Sequence, residues 1–133
     1  FLVLMSDDMY SKEDAEKIST HTDWVMLAQF AEHMNPGGKV ITDERGLVTE
    51  IQEGTHEGES GMAGTNFFIL DTRLFDHKLV PKSAGSKEFG LPQTIIEASK
   101  QSRIPFTIVP ATFWFQITDP DDLTKAEAVI NSR

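Results

Sequence analysis

The sequence predicts an α/β domain built on a mixed sheet flanked by helices, and three observations carry that expectation. Short apolar runs alternate with capped, helix-periodic segments along the whole chain. Asn35-Pro36-Gly37-Gly38, followed by β-branched runs at 39–42 and 47–51, marks an antiparallel hairpin. Two strand-like runs at 106–109 and 113–117 lie too close together for a helical crossover, so the sheet is not purely parallel.

Taken in order, Phe1-Leu2-Val3-Leu4-Met5 is too short for a helix and stops at Ser6-Asp7-Asp8, which predicts a buried strand ending in a loop. Ser11, with acidic Asp14 three positions on, caps a helix to about Ser19 whose apolar side is only Ala15 and Ile18. The run 24–30 suits strand or buried helix; its length and polar flanks favour a strand. Residues 53–64 hold glycines and glutamates with almost no apolar side chain, and predict a mobile surface loop. A buried strand at 67–70, a helical turn at 72–75 and a polar connection to Gly90 follow. Leu91, Ile95, Ile96 and Ala98 give near-helical spacing over 91–102, with Pro92 in the first turn. After the two strands, Asp119 as cap, Pro120 behind it and Asp122 at the third position start a last helix with Leu123, Ala126, Val129 and Ile130 along one face.

A chain of 133 residues with 39% hydrophobic and 25% charged residues supports one real core. Disorder and a disulfide scaffold are excluded, the latter because there is no cysteine. No apolar stretch approaches the roughly 20 residues of a membrane span, and the start lacks a signal peptide's basic region. A cytoplasmic protein is the expectation. A formal charge of −9 opposes non-specific binding to nucleic acid. There is no G-x-S-x-G, no P-loop and no thiol nucleophile.

The candidate chemistry is carried by few residues. Asp7 and Asp8, after a strand, suit either Mg²⁺ with its water and phosphate ligands or the capping of the next helix. His56 among Glu53, Glu57 and Glu59 offers metal donors, but on no rigid spacing, so a solvated loop is preferred. His77, Lys78, Lys82 and Lys87 concentrate positive charge that could meet phosphate or simply face solvent. Trp114 alternates with Phe113 and Phe115, so it packs against a sugar ring or in the core.

Four segments in order, residues 1–8, 46–53, 63–71 and 114–123, resemble the sugar-1-phosphate nucleotidylyltransferases. The resemblance implies a sugar 1-phosphate and a nucleoside triphosphate as substrates, Mg²⁺ as cofactor and a Rossmann-like mixed sheet, of which this chain matches the sugar-binding, C-terminal portion. It makes Asp7 the catalytic, metal-binding aspartate and Asp8 a neighbour that meets the sugar. Gly38 is the glycine that lets backbone approach the sugar, and Glu53 accepts from its hydroxyls. Thr65, Asn66 and Phe68 fall in the strand lining the pocket, with Trp114 beside it. Gln116 stands where the family has a second metal-binding aspartate, and Gly54 where it commonly has a lysine. The family's glycine-rich nucleotide loop would precede the first strand. The expectation is therefore a portion of a longer enzyme, inactive alone and prone to self-association through unpaired strand edges. The alternative is a non-catalytic sugar-phosphate-binding or interaction domain.

Overall fold

The unbroken apolar run at 24–28 needs burial on both faces, and the fold is arranged to provide it. The computed structural model describes residues 1–133. In chain order it contains β1 (Leu2–Val3), β2 (Asp8–Tyr10), α1 (Lys12–Ser19), β3 (Trp24–Ala31), β4 (Gly37–Thr42), β5 (Val48–Gly54), β6 (Gly61–Ile69), a 3₁₀ turn (Thr72–Asp76), α2 (Leu91–Ser102), β7 (Phe106–Pro110), β8 (Trp114–Gln116) and α3 (Pro120–Ser132). The main sheet runs β5-β4-β6-β3-β7, with β1 added beside β6, and β2 and β8 form a separate ribbon. Only β3 and β7 pair in parallel, joined through a connection that contains α2. The mixed sheet flanked by helices is thus present, mostly antiparallel.

Alternation along β3 sends Trp24, Met26 and Ala28 into one core, shared with Ile95, Ile96 and Ala98 of α2. Val25 and Leu27 face the other way, against Ile18 of α1, Phe67 and Val109. A lone antiparallel bridge between Leu47 and Thr107 brings the two outer strands together at one end, so the sheet curls around α2. No helix is long and apolar enough to cross a membrane.

Helix starts obey local chemistry. The Ser11 hydroxyl accepts from the Asp14 amide at 3.0 Å, and Asp119 with Asp122 forms a reciprocal capping box behind Pro120. Asp14 also accepts from the backbone N–H groups of Thr112 at 2.8 Å and Phe113 at 3.1 Å, tying α1 to the β7–β8 link.

Several expectations need correction. The opening run is not a buried strand. Only Leu2 and Val3 pair, with Ile69 and Phe68, and Phe1, Leu2, Leu4 and Met5 stay exposed because no layer covers them. Asp8 belongs to an unforeseen strand paired with the Trp114 strand, which consequently leaves the main sheet. The loop expected at 53–64 shrinks to 55–60, since β5 runs through Gly54 and β6 begins at Gly61. In α3 only Ala126 of the expected apolar face is buried, and Leu123 and Ile130 face solvent.

Candidate functional site

The site begins with an irregularity in β6. Val25 to Leu27 pair in register with Ile69 to Phe67, but Ala28 then faces Gly64, leaving Thr65 and Asn66 surplus on β6. Asn66 takes up the bulge at φ 56°, a conformation asparagine tolerates better than most residues. The bulge is tied down twice: the Thr65 hydroxyl donates to the Leu27 carbonyl at 2.7 Å, and the Tyr10 hydroxyl donates to the Thr65 carbonyl at 2.8 Å. Tyr10 in turn packs edge-on against Phe67, 4.9 Å between ring centres.

A second wall comes from the end of the hairpin, where Gly38 lies opposite Glu53. A Cβ on Gly38 would stand 2.9 Å from Ile51 Cγ2 and 3.5 Å from Glu53 Oε1, so the glycine leaves room for the carboxylate to lie across it. The third wall is the β2–β8 ribbon, in which Asp8 pairs with Gln116 and Tyr10 with Trp114. The Trp114 indole N–H donates to Asp8 Oδ2 at 2.9 Å. The N-terminus of α2 and the start of α3 complete the enclosure.

Together these elements surround a cavity of about 960 Å³ whose walls include Gly38, Glu53, Asn66, Gln93, Trp114 and Gln116. That volume is at the upper end for small-molecule sites. Five residues that the family resemblance names, Gly38, Glu53, Asn66, Trp114 and Gln116, therefore share one hollow. Asp7, Asp8, Thr65 and Phe68 do not line it. Asp7 sits in an exposed turn, Asp8 stands behind Trp114, Thr65 is a buried bulge anchor, and Phe68 is core. Of the basic cluster, only Lys82 reaches the cavity; His77 lies beside Gln101 instead.

Gln93 and Lys125 also line the hollow and carried no sequence signal beyond their helices. Neither amide atom of Gln93 has a hydrogen-bond partner, which leaves a donor and an acceptor at the wall. Lys125 is engaged by Asp122 at 2.8 Å, and its hydrogen bond, with those from Thr118, holds the Asp122 carboxyl well below the usual range. Lys82 is loosely paired with Glu88 at 3.7 Å. Burial raises the Asp8 carboxyl above its ordinary value, against the opposing hydrogen bonds from Trp114 and Tyr10.

Of the two residues that the resemblance names for Mg²⁺, Asp7 lies outside the cavity lining and Gln116 lines it with a neutral amide. No three His, Cys, Asp or Glu side chains converge, so a metal site held by protein donors alone is not formed.

No family model matches the chain. A bifunctional IPC transferase and DIPP synthase of Aquifex aeolicus is 29% identical over 141 residues, covering 96% of this chain and 28% of that protein. The chain thus spans little more than a quarter of this relative. Among solved structures, HddC from Yersinia pseudotuberculosis matches with a TM-score of 0.68 and 19% identity, over 98% of this chain and 55% of the other. A glucose-1-phosphate thymidylyltransferase from Bacillus anthracis, solved in complex with a sucrose and described as putative, matches at 0.66 and 21%, over 96% and 53%. The fold is that of these proteins.

Proposed function

We propose that this chain is the sugar-phosphate-binding portion of a nucleotidyltransferase whose parent joins a sugar 1-phosphate to a nucleoside triphosphate. The observation that carries the reading is the convergence of Gly38, Glu53, Asn66 and Trp114 on one cavity. The names of the relative and of the thymidylyltransferase neighbour support the transferase class.

Each wall has a use for a sugar. The Glu53 carboxylate accepts from hydroxyls, the Asn66 amide both donates and accepts, and the indole of Trp114 offers a face to the ring's C–H groups. In the parent reaction a phosphate oxygen of the sugar 1-phosphate attacks the α-phosphorus of the triphosphate. One P–O bond forms as the bond to the β-phosphate bridge breaks, and pyrophosphate leaves. The contribution of this chain is to hold the nucleophile in place, which in such reactions is a large part of the rate.

Calorimetric titration with glucose 1-phosphate tests the binding half. The wild-type chain should saturate, and Glu53→Gln should weaken the complex about tenfold, the worth of one charge-assisted hydrogen bond. Equal affinities, or no saturable binding at all, would overturn the assignment. No pyrophosphate release is expected from these 133 residues alone, and measured release would contradict that.

Gln116 and Gly54 favour a second reading, a sugar-phosphate-sensing module without chemistry, because each is neutral where the resembled family carries charge. Glucose 1-phosphate binding without pyrophosphate release by the full parent protein would select it.

A further inference from the structure

His56 is the one buried residue of the 55–60 loop, at 7% exposure with its loop neighbours exposed. Its Nε2 lies 3.1 Å from the Gly37 carbonyl and 3.0 Å from the Gln52 carbonyl. Both neighbours are acceptors only, so Nε2 carries the hydrogen and shares it between two strands. The two carbonyls belong to β4 and β5 at their open end, where Gly37 faces Gly54. Both glycines have positive φ, 152° and 141°, and neither meets any neighbour at its Cβ position. This rung has no side chains to pack it in place, and it abuts the Gly38–Glu53 pair of the cavity wall.

The loop that presents His56 is itself anchored. Glu59 donates its amide to the His56 carbonyl at 3.0 Å, accepts the Met34 amide at 3.0 Å, and meets Lys39 Nζ through its carboxylate at 2.6 Å. The Lys39 bond and charge lower the Glu59 carboxyl. Apart from its internal Glu59–His56 bond, the loop thus has three fastenings to the rest of the chain, Met34, Lys39 and the imidazole, and only the imidazole reaches both strands.

We propose that His56 is a positioning residue for the cavity: its Nε2–H clamps the ends of β4 and β5 and so fixes where Glu53 and Gly38 meet a ligand. The clamp stands on the geometry of the loop, and its bearing on a sugar phosphate rests on the function proposed above.

The test compares wild type, His56→Phe, which keeps a ring without the donor, and His56→Gln, whose amide restores one. Amide hydrogen exchange is followed at Gly38, Glu53 and Gly54, with the β3 amides as a control for global stability. His56→Phe should speed exchange at the hairpin end about tenfold and leave β3 unchanged, while His56→Gln should stay within about threefold of wild type. Glucose 1-phosphate affinity should fall with His56→Phe, and that loss should vanish in a Glu53→Gln background, because the histidine acts through the carboxylate. Unchanged exchange at the hairpin end in His56→Phe, or fully additive losses in the double variant, overturns the clamp. Failure of the wild type to bind glucose 1-phosphate counts against the sugar-phosphate reading instead, and the exchange result then decides the clamp by itself.

Discussion

Asp8, half-buried, and Asp14, fully buried six residues on, are carboxylates with opposite consequences. Asp14 pays its desolvation with bonds from Phe113, Ser11 and Thr112, and its carboxyl ends below the ordinary range. Asp8 is dominated by desolvation, and its Oδ1 is buried with no partner. An acid lowered in the folded state adds stability above its unfolded pKa of about 3.9, lost as pH falls through the folded value. Asp14, Asp71 and Asp122 are all of this kind, so unfolding should set in below about pH 4. A raised acid has the opposite sign: Asp8 costs stability at neutral pH and returns it as pH falls through its raised value. Asp14→Ala should therefore lose about 3 kcal/mol in denaturant unfolding at pH 7, by stranding the Thr112 and Phe113 amides. Asp8→Asn, which keeps an acceptor for the indole and sheds the charge, should raise the midpoint. Ser11 and Asp14 were legible as a cap from their spacing. The reach of Asp14 to Thr112 was not, because local spacing carries no information about a partner 98 residues away.

The elements divide by how much of their reason is local. The caps of α1 and α3, the chain punctuation at 35–38 and a strand over 24–30, one residue short of the observed end, could be read because each is set by neighbouring residues. The start of β6 could not. Gly61-Met62-Ala63-Gly64 has weak strand propensity, yet it pairs with β3 on one side and β4 on the other, and that double pairing overrides composition. The same holds for β2, whose three residues form a strand only because Trp114 to Gln116 lie beside them. The bulge likewise follows from contacts across the fold, chiefly the Tyr10 hydroxyl on the Thr65 carbonyl. Tyr10→Phe keeps the ring on Phe67 and removes that bond. It should cost about 1 kcal/mol of stability and weaken glucose 1-phosphate binding through Asn66. Unaltered binding would mean that the bulge holds its shape without the tyrosine.

For the molecule as a whole, the curled sheet buries both faces of β3 but leaves one flank bare. Phe1 stacks on Phe75 at 5.5 Å, yet the two rings remain 48% and 72% exposed, beside Leu2, Leu4 and Met5. β1 pairs only with β6. An apolar flank beside a free strand edge favours association. Sedimentation velocity should give a weight-average mass that rises with concentration, and Phe75→Ser should reduce the rise; a concentration-independent monomer would refute it. The grouping of Gly38, Glu53, Asn66, Trp114 and Gln116 was foreseeable only from the family resemblance, since three separate walls bring them together. Nuclear magnetic resonance titration with glucose 1-phosphate examines that grouping directly. Shifts should concentrate on the Gly38 and Asn66 amides and the Trp114 indole N–H. Saturable shifts confined to the shallow hollow at Thr20–Asp23 and Pro105, or no shifts, would contradict it.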